Sequence, residues 1–317
     1  MNGSFVISLD FEMLWGLAGW NNYQINAYKP HIEGSRQALM RIIDTLSRYN
    51  IKSTIAFIGG MCFESTNEFI ETSPILKPHY HKAQFSSYES ILKYVEQTNE
   101  YQLLFCKDLI LSLASNNLVE LASHTFSHYY CLETGQDIDQ FTADIQCALQ
   151  HAKANGIDIG TVIFPRNQVS RSYLQACADL GITHYRGNLD TFLYRSETTP
   201  SRFSIRRILR AADTYLNISG SNDFRIQGGC KPRNIPGSRF LRPYSSQLSF
   251  LEPLKIRRIT KSIEHAAKHK KIYHLWWHPH NFGCNTDENI SNLEQICDCF
   301  CRMQAKYGMT SKFIKEL

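Results

Sequence analysis

The chain has 317 residues, 43% of them apolar and 20% charged. That balance fits an ordered globular protein and excludes a disordered, collagen-like or coiled-coil chain. The length suits two average domains or one α/β barrel, and no apolar run approaches the roughly 20 residues that would span a bilayer. The opening MNGSFVISLDFEMLWG has no basic stretch, so no export signal is expected. Ten cysteines in such a chain predict reduced thiols and a cytoplasmic setting.

The net charge of +5 hides an asymmetry. Residues 200–275 carry 16 Lys/Arg against four acids, a net of +12, which leaves −7 for the remainder. Beside a plain solvated basic surface, this suggests a face that meets an anion: a sugar nucleotide, a lipid pyrophosphate, an anionic glycan, a membrane surface or nucleic acid. The basic residues are scattered through loops and a helix with no recognised module, which argues against nucleic acid.

In chain order, Ser4–Leu9 predicts a strand ending at Asp10. Arg36–Tyr49 repeats apolar residues at helical spacing (Ala38, Leu39, Ile42, Ile43, Leu46), and Ser53–Ile58 predicts a second strand. Strand, helix, strand is a βαβ unit with a parallel pair. Residues 61–117 are expected to be an insertion with helical pieces. A strand follows at Leu118–Ser123, a helix at Asp137–Asn155, a strand at Thr161–Phe164, a helix at Ser170–Leu180 and a strand at Ile182–Tyr185. Residues 195–255 are basic and irregular. A helix at Ile256–His269, a strand at Lys271–Trp276 and a helix at Ile290–Tyr307 close the chain. The expected organisation is a single domain over 1–317.

Chemically capable residues stand just past the ends of four strands: Asp10/Glu12, His124/His128, Arg166 and His278. In parallel α/β sheets and barrels that end collects the active site. On a helical turn, His124-Thr-Phe-Ser-His128 would place two imidazoles on one face, suited to one cation; alone, such a pair also arises in ordinary cores. On an extended segment Asp10 and Glu12 face the same way. Two such carboxylates repel unless a cation or a shared proton relieves them. Arg166, in Phe164-Pro165-Arg166-Asn167-Gln168, is a fixed cationic fork able to orient a carboxylate. His274-Leu-Trp-Trp-His278-Pro-His280-Asn281-Phe282-Gly283 suits a sugar-facing wall with a proton donor. Trp15 and Trp20 flank the first motif, fit either to stack on a sugar or to close the barrel rim. Cys297, Cys299 and Cys301 are expected as small buried apolar residues rather than a metal cluster.

Taken in order, Asp10-x-Glu12, His124-x-x-x-His128, the Arg166 segment and Leu275-x-x-His278 resemble the motifs of the polysaccharide deacetylase (NodB-homology, carbohydrate esterase 4) family. SLDFEMLWG, FPRNQ, YRGN, IPGSRFLRPY and LWWHPHNFG are similar to a bacterial branch concerned with surface-glycan biosynthesis. The common first motif has two adjacent aspartates. Here Phe11 replaces the second, and Glu12 follows one residue later.

The resemblance implies an α/β fold, a distorted (β/α)7 barrel with a helical insertion. It implies a metal-dependent hydrolase removing an N-acetyl or other N-acyl group from an amino sugar in a lipopolysaccharide or other surface-polysaccharide precursor. Glu12, His124 and His128 would hold a divalent cation, zinc or else cobalt, nickel or iron. Asp10 would be the base, unless it and Glu12 exchange roles. Arg166 would orient Asp10, His278 would be the acid, and a backbone N–H near Asn167 would meet the oxyanion. Trp15, Asn167, Trp277 and His280 are candidate sugar contacts, and Arg239 and Arg242, with Arg207 and Arg210, candidate contacts for a nucleotide or lipid phosphate. Peripheral contact with the inner membrane fits the basic segment. The lost aspartate motivates the alternative, a catalytically inactive glycan-binding protein on the same barrel.

Overall fold

Eight consecutive buried residues, Ser4–Phe11, form β1, as expected of a parallel strand covered on both faces. The computed structural model describes residues 2–191, 193–194, 205–226, 228–229 and 231–317. The other strands are β2 (Ser53–Phe57), β3 (Val119–Ser123), β4 (Thr161–Ile163), β5 (His184–Arg186), β6 (Arg233–Asn234), β7 (Arg239–Phe240), β8 (Ile272–Trp277) and β9 (Thr310–Lys312). They lie in the order β6-β5-β4-β3-β2-β1-β8-β7, and β9 pairs with the start of β1. Every ladder is parallel.

One extended segment completes the curl. Its first half pairs with β5, where the Ile235 N–H reaches the Tyr185 carbonyl at 2.9 Å. Its second half pairs with β8, where the Ser238 N–H reaches the His274 carbonyl at 2.8 Å. β6 and β7 are thus two ends of a single closing strand, and the ring has the seven positions of a distorted (β/α)7 barrel. Inside it Val6, Ala56, Ala122, Ile163 and Ile235 pack with Ile314. Glu120 lies on the same inward rows, its oxygens taking the Thr54 and Thr161 hydroxyls at 2.6 Å each.

The helices are α1 (Asn22–Glu33), α2 (Ser35–Arg48), α3 (Thr66–Thr72), α4 (Ile91–Thr98), α5 (Lys107–Ala114), α6 (Ile138–Ala154), α7 (Arg171–Asp179), α8 (Ile205–Asp213), α9 (Glu252–Lys268) and α10 (Thr286–Tyr307). The apolar stripe of α2 is buried as its spacing predicts. Residues 61–117 hold α3, α4 and α5. The expected irregular stretch 195–255 contains α8, β6 and β7, though 195–204 lie outside the described residues. The cysteines described are free thiols. Cys297 and Cys299 are buried in the core. Among the described residues, no helix is long and apolar enough to cross a membrane.

Candidate active site

Inward rows of the barrel climb to an acidic rim. Residues two apart on β1 face the same side, so Val6, Ser8 and Asp10 form one row, and Glu12 follows directly. Arg186, the last residue of β5, rises opposite. It donates Nη1 to Asp10 Oδ1 at 2.7 Å and Nη2 to Asp10 Oδ2 at 2.6 Å. Nη1 also reaches the Ser8 hydroxyl at 3.0 Å, and Nη2 reaches Asn167 Oδ1 at 2.9 Å. The guanidinium lies over the Trp276 ring, 4.2 Å from its centroid. Burial alone would raise the Asp10 pKa. The Arg186 charge, then His278 and His124, reverse that and hold the carboxyl below its usual range.

Glu12 faces three imidazoles. Its Oε1 lies 2.9 Å from His124 Nε2, 3.3 Å from His128 Nε2 and 3.5 Å from His278 Nε2. Despite burial, these rings keep Glu12 well below the usual carboxylate value. Burial pushes the His128 pKa down to about 4, so that ring is neutral with a lone pair to give. Burial opposes charge on His278 too, but Glu12 and Asp10 outweigh it and raise its pKa. His278 Nε2 stands 3.7 Å from Asp10 Oδ2.

The histidine pair does not sit on a helical turn. Residues 124–130 are a loop in which Thr125 and His128 adopt left-handed backbone, with φ of 66° and 62°. Asp144 of α6 fixes it: its carboxylate accepts the Phe126 N–H at 2.7 Å, the Ser127 N–H at 3.1 Å and the Ser127 hydroxyl. Burial raises Asp144 to about 6. A helix period can be read from spacing, whereas this caged loop cannot.

The donor set fits a divalent cation. One carboxylate oxygen and two imidazole nitrogens lie within 4.8 Å of one another, all buried. Three such ligands with a side open to a cleft suit a borderline-soft ion in a catalytic setting. The cleft holds about 390 Å³ and is lined by Asp10, Glu12, His128, Arg166, Asn167, Trp20, Tyr28, Trp276, His278 and His280 among others.

Residues 33–185 match the family model for polysaccharide deacetylase. Over that stretch, somewhat less than half of its length, the chain carries a polysaccharide deacetylase domain. Asp10, Glu12, Arg186 and His278 lie outside the matched stretch. No curated protein sequence matches the chain. The fold is similar to that of a candidate polysaccharide deacetylase from Mycobacterium smegmatis, at 10% identity and TM-score 0.58, covering all of this chain and 89% of that one. A candidate from Pseudomonas aeruginosa PAO1 gives 10% and 0.54, covering 99% of this chain and 88% of that one. The 4-alpha-glucanotransferase from Thermococcus litoralis gives 12% and 0.54, covering all of this chain and 40% of that one. At such identities the likeness concerns the fold alone.

Within this barrel several sequence expectations are corrected. Arg166 does not touch Asp10. It reaches the Ala18 carbonyl at 3.1 Å and Glu133 at 3.4 Å, and packs on the Tyr130 ring. Arg186 holds Asp10 instead. The strand end expected at Tyr185 runs one residue further, and the arginine of the YRGN segment stands there. The Asn167 N–H is already spent on the Phe164 carbonyl at 2.9 Å, so it is not open to an oxyanion. Trp15 and Trp277 are fully buried; Trp15 donates to the Leu104 carbonyl and Trp277 stacks on Phe282. Their neighbours in sequence, Trp20 and Trp276, line the cleft. His280 lines it too, stacked on His278. Arg239 is buried outside the cleft against Asp213 at 3.1 Å. Arg242 is half-buried and does not line the cleft, and Arg207 and Arg210 lie on α8. His274, fully buried, bonds Ser8 Oγ at 2.8 Å and the Ile235 carbonyl at 3.1 Å, a core histidine rather than a site residue.

Proposed function

We propose that this chain is a metal-dependent carbohydrate N-deacylase, removing an acetyl or related acyl group from an amino sugar carried on a surface-polysaccharide precursor. The observation that carries the reading is the meeting of Glu12 with His124, His128 and His278 at one carboxylate oxygen, beside an Asp10 held by Arg186. Glu12, His124 and His128 are the residues that would hold the cation. When bound, such an ion acidifies a water and polarises an acyl carbonyl.

The chain's own groups divide the proton work. Asp10, kept ionised by Arg186, accepts a proton from water at its outward carboxylate edge. His278, whose proton is favoured by the two carboxylates, gives it to the nitrogen of the departing amine. The products are a free amino sugar and a carboxylate. Trp20, Tyr28 and Trp276 offer ring faces and edges to the sugar and exclude water from the cleft floor. Glu12 supplies the acid that Phe11 cannot, which favours an active enzyme over a binding protein. The cytoplasmic setting and the nucleotide or lipid carrier remain part of this proposal.

The test is acetate release from a panel of N-acetylated sugars, free, nucleotide-linked and lipid-linked. Turnover of at least one, abolished by His278→Ala in a protein that keeps its fold, is expected. No release from any member, by protein containing its metal, overturns the reading.

A further inference from the structure

Away from the cleft, one flank combines exposed apolar side chains with positive charge. On α8, Ile205 and Ile208 are 73% and 68% exposed one turn apart, and the helix also carries Arg206, Arg207 and Arg210. Beside it, Leu216 is 59% exposed, and just before α9 Phe250 is 72% exposed. The outer face of α9 continues the pattern with Leu254, Arg257 and Lys261, three and four residues apart and all exposed.

Buried contacts weld these pieces together. The Asp213 carboxylate at the end of α8 lies 3.6 Å from the Arg258 guanidinium of α9, which also donates to the Gly220 carbonyl. The flank borders the cleft: Arg239, paired with Asp213, precedes Phe240, whose ring packs on Trp276 at 4.9 Å. Asp213 and Glu252 are buried and Glu264 neutralises Lys261 at 2.8 Å, so the outward charge of the flank is carried by arginines such as Arg207 and Arg257.

We propose that this flank, formed by α8, the turn after it and the outer face of α9, docks on the anionic surface of a lipid bilayer. Isoleucine, leucine and phenylalanine stand exposed and singly among arginines on these helices and the turn between them. They match an interfacial helix, whose apolar side chains enter the acyl boundary while its cations meet headgroup phosphates. Buried apolar area supplies part of the affinity and charge supplies the rest, so both are required.

Flotation of the full chain with vesicles tests this, comparing phosphatidylcholine alone with phosphatidylcholine containing phosphatidylglycerol. The chain is expected to float with the anionic vesicles and not with the neutral ones. Replacing Arg207→Gln or Arg257→Gln should lower the partition coefficient about fivefold each. Ile208→Asn with Phe250→Asn should lower it further, with unchanged circular dichroism and melting. Absence of flotation, equal binding to neutral vesicles, or binding indifferent to both sets of changes overturns the proposal. So does a dimer that buries Phe250 and binds no lipid, since the occupant is then a second copy.

Discussion

Arg186 clamps Asp10 through two parallel N–H···O bonds of 2.7 and 2.6 Å, both groups almost wholly buried. A planar fork meeting a carboxylate edge-on fixes orientation as well as charge. The same guanidinium reaches Ser8 and Asn167 and rests on Trp276, so it ties β1, β4 and β8 at the rim. Its burial leaves it to act by positioning Asp10.

Replacing Arg186→Ala is therefore expected to lower kcat about 10²-fold through misplacement of Asp10, with KM little changed and partial rescue by added guanidinium ion. Arg166→Ala, which disturbs the cleft wall and not Asp10, should alter KM more than kcat. Steady-state kinetics of both variants check this; equal kcat losses would refute the assignment.

Asp144 cages the loop between the two histidines. Asp144→Ala removes the acceptor for the Phe126 and Ser127 N–H groups and frees His128 from its left-handed backbone. Divalent-cation affinity should fall about 10–100-fold, as for other outer-shell partners of metal ligands. Competition with a chromogenic chelator measures this. Unchanged affinity in a folded variant would show that the cage does not orient the ligands.

Asp213 offers a pH signature. Its carboxylate is fully buried, 3.1 Å from Arg239 and 3.6 Å from Arg258, and takes the Tyr194 hydroxyl at 2.6 Å. Burial pushes its pKa up, but the Arg239 charge and the hydrogen bonds more than offset this and hold it below the usual carboxylate range. A depressed carboxylate stabilises the fold above its unfolded pKa, and that contribution is lost as pH falls through the folded value. Asp213→Asn should cost about 3 kcal/mol at neutral pH, and the gap to wild type should narrow in acid. Denaturant titrations across pH test it; a gap independent of pH would contradict the ion pairing.

Much of the barrel was legible because its signals are periodic. The stripe of Ala38, Leu39, Ile42, Ile43 and Leu46 and the apolar-rich β1, with Phe5, Val6, Ile7 and Leu9, announce a helix and a parallel strand before any coordinate is known. Acids and histidines at strand ends were legible for the same reason, since strand ends fix where side chains converge. What failed was parity and closure. Arg166, which follows a strand, takes the role of holding Asp10 in the resemblance, whereas Arg186, one residue past the expected end of β5, holds Asp10 in the structure. Trp277 stands among the expected sugar contacts, but successive residues of β8 face opposite sides, and Trp276 lines the cleft instead. α1 went unseen because Pro30 interrupts it and only Ile25 and Ile32 are buried along it. The closing strand of β6 and β7 has two-residue ladders in a Gly- and Pro-rich stretch, too short for any pattern.

The central claim is that hydrolysis depends on a cation held by Glu12, His124 and His128. Acetate release by chelator-stripped protein, titrated with zinc and checked by elemental analysis, addresses it most directly. The account predicts no turnover without metal, recovery to a plateau at one equivalent per chain, and no recovery for His128→Ala. Wild-type rates from protein verified to be metal-free would contradict it.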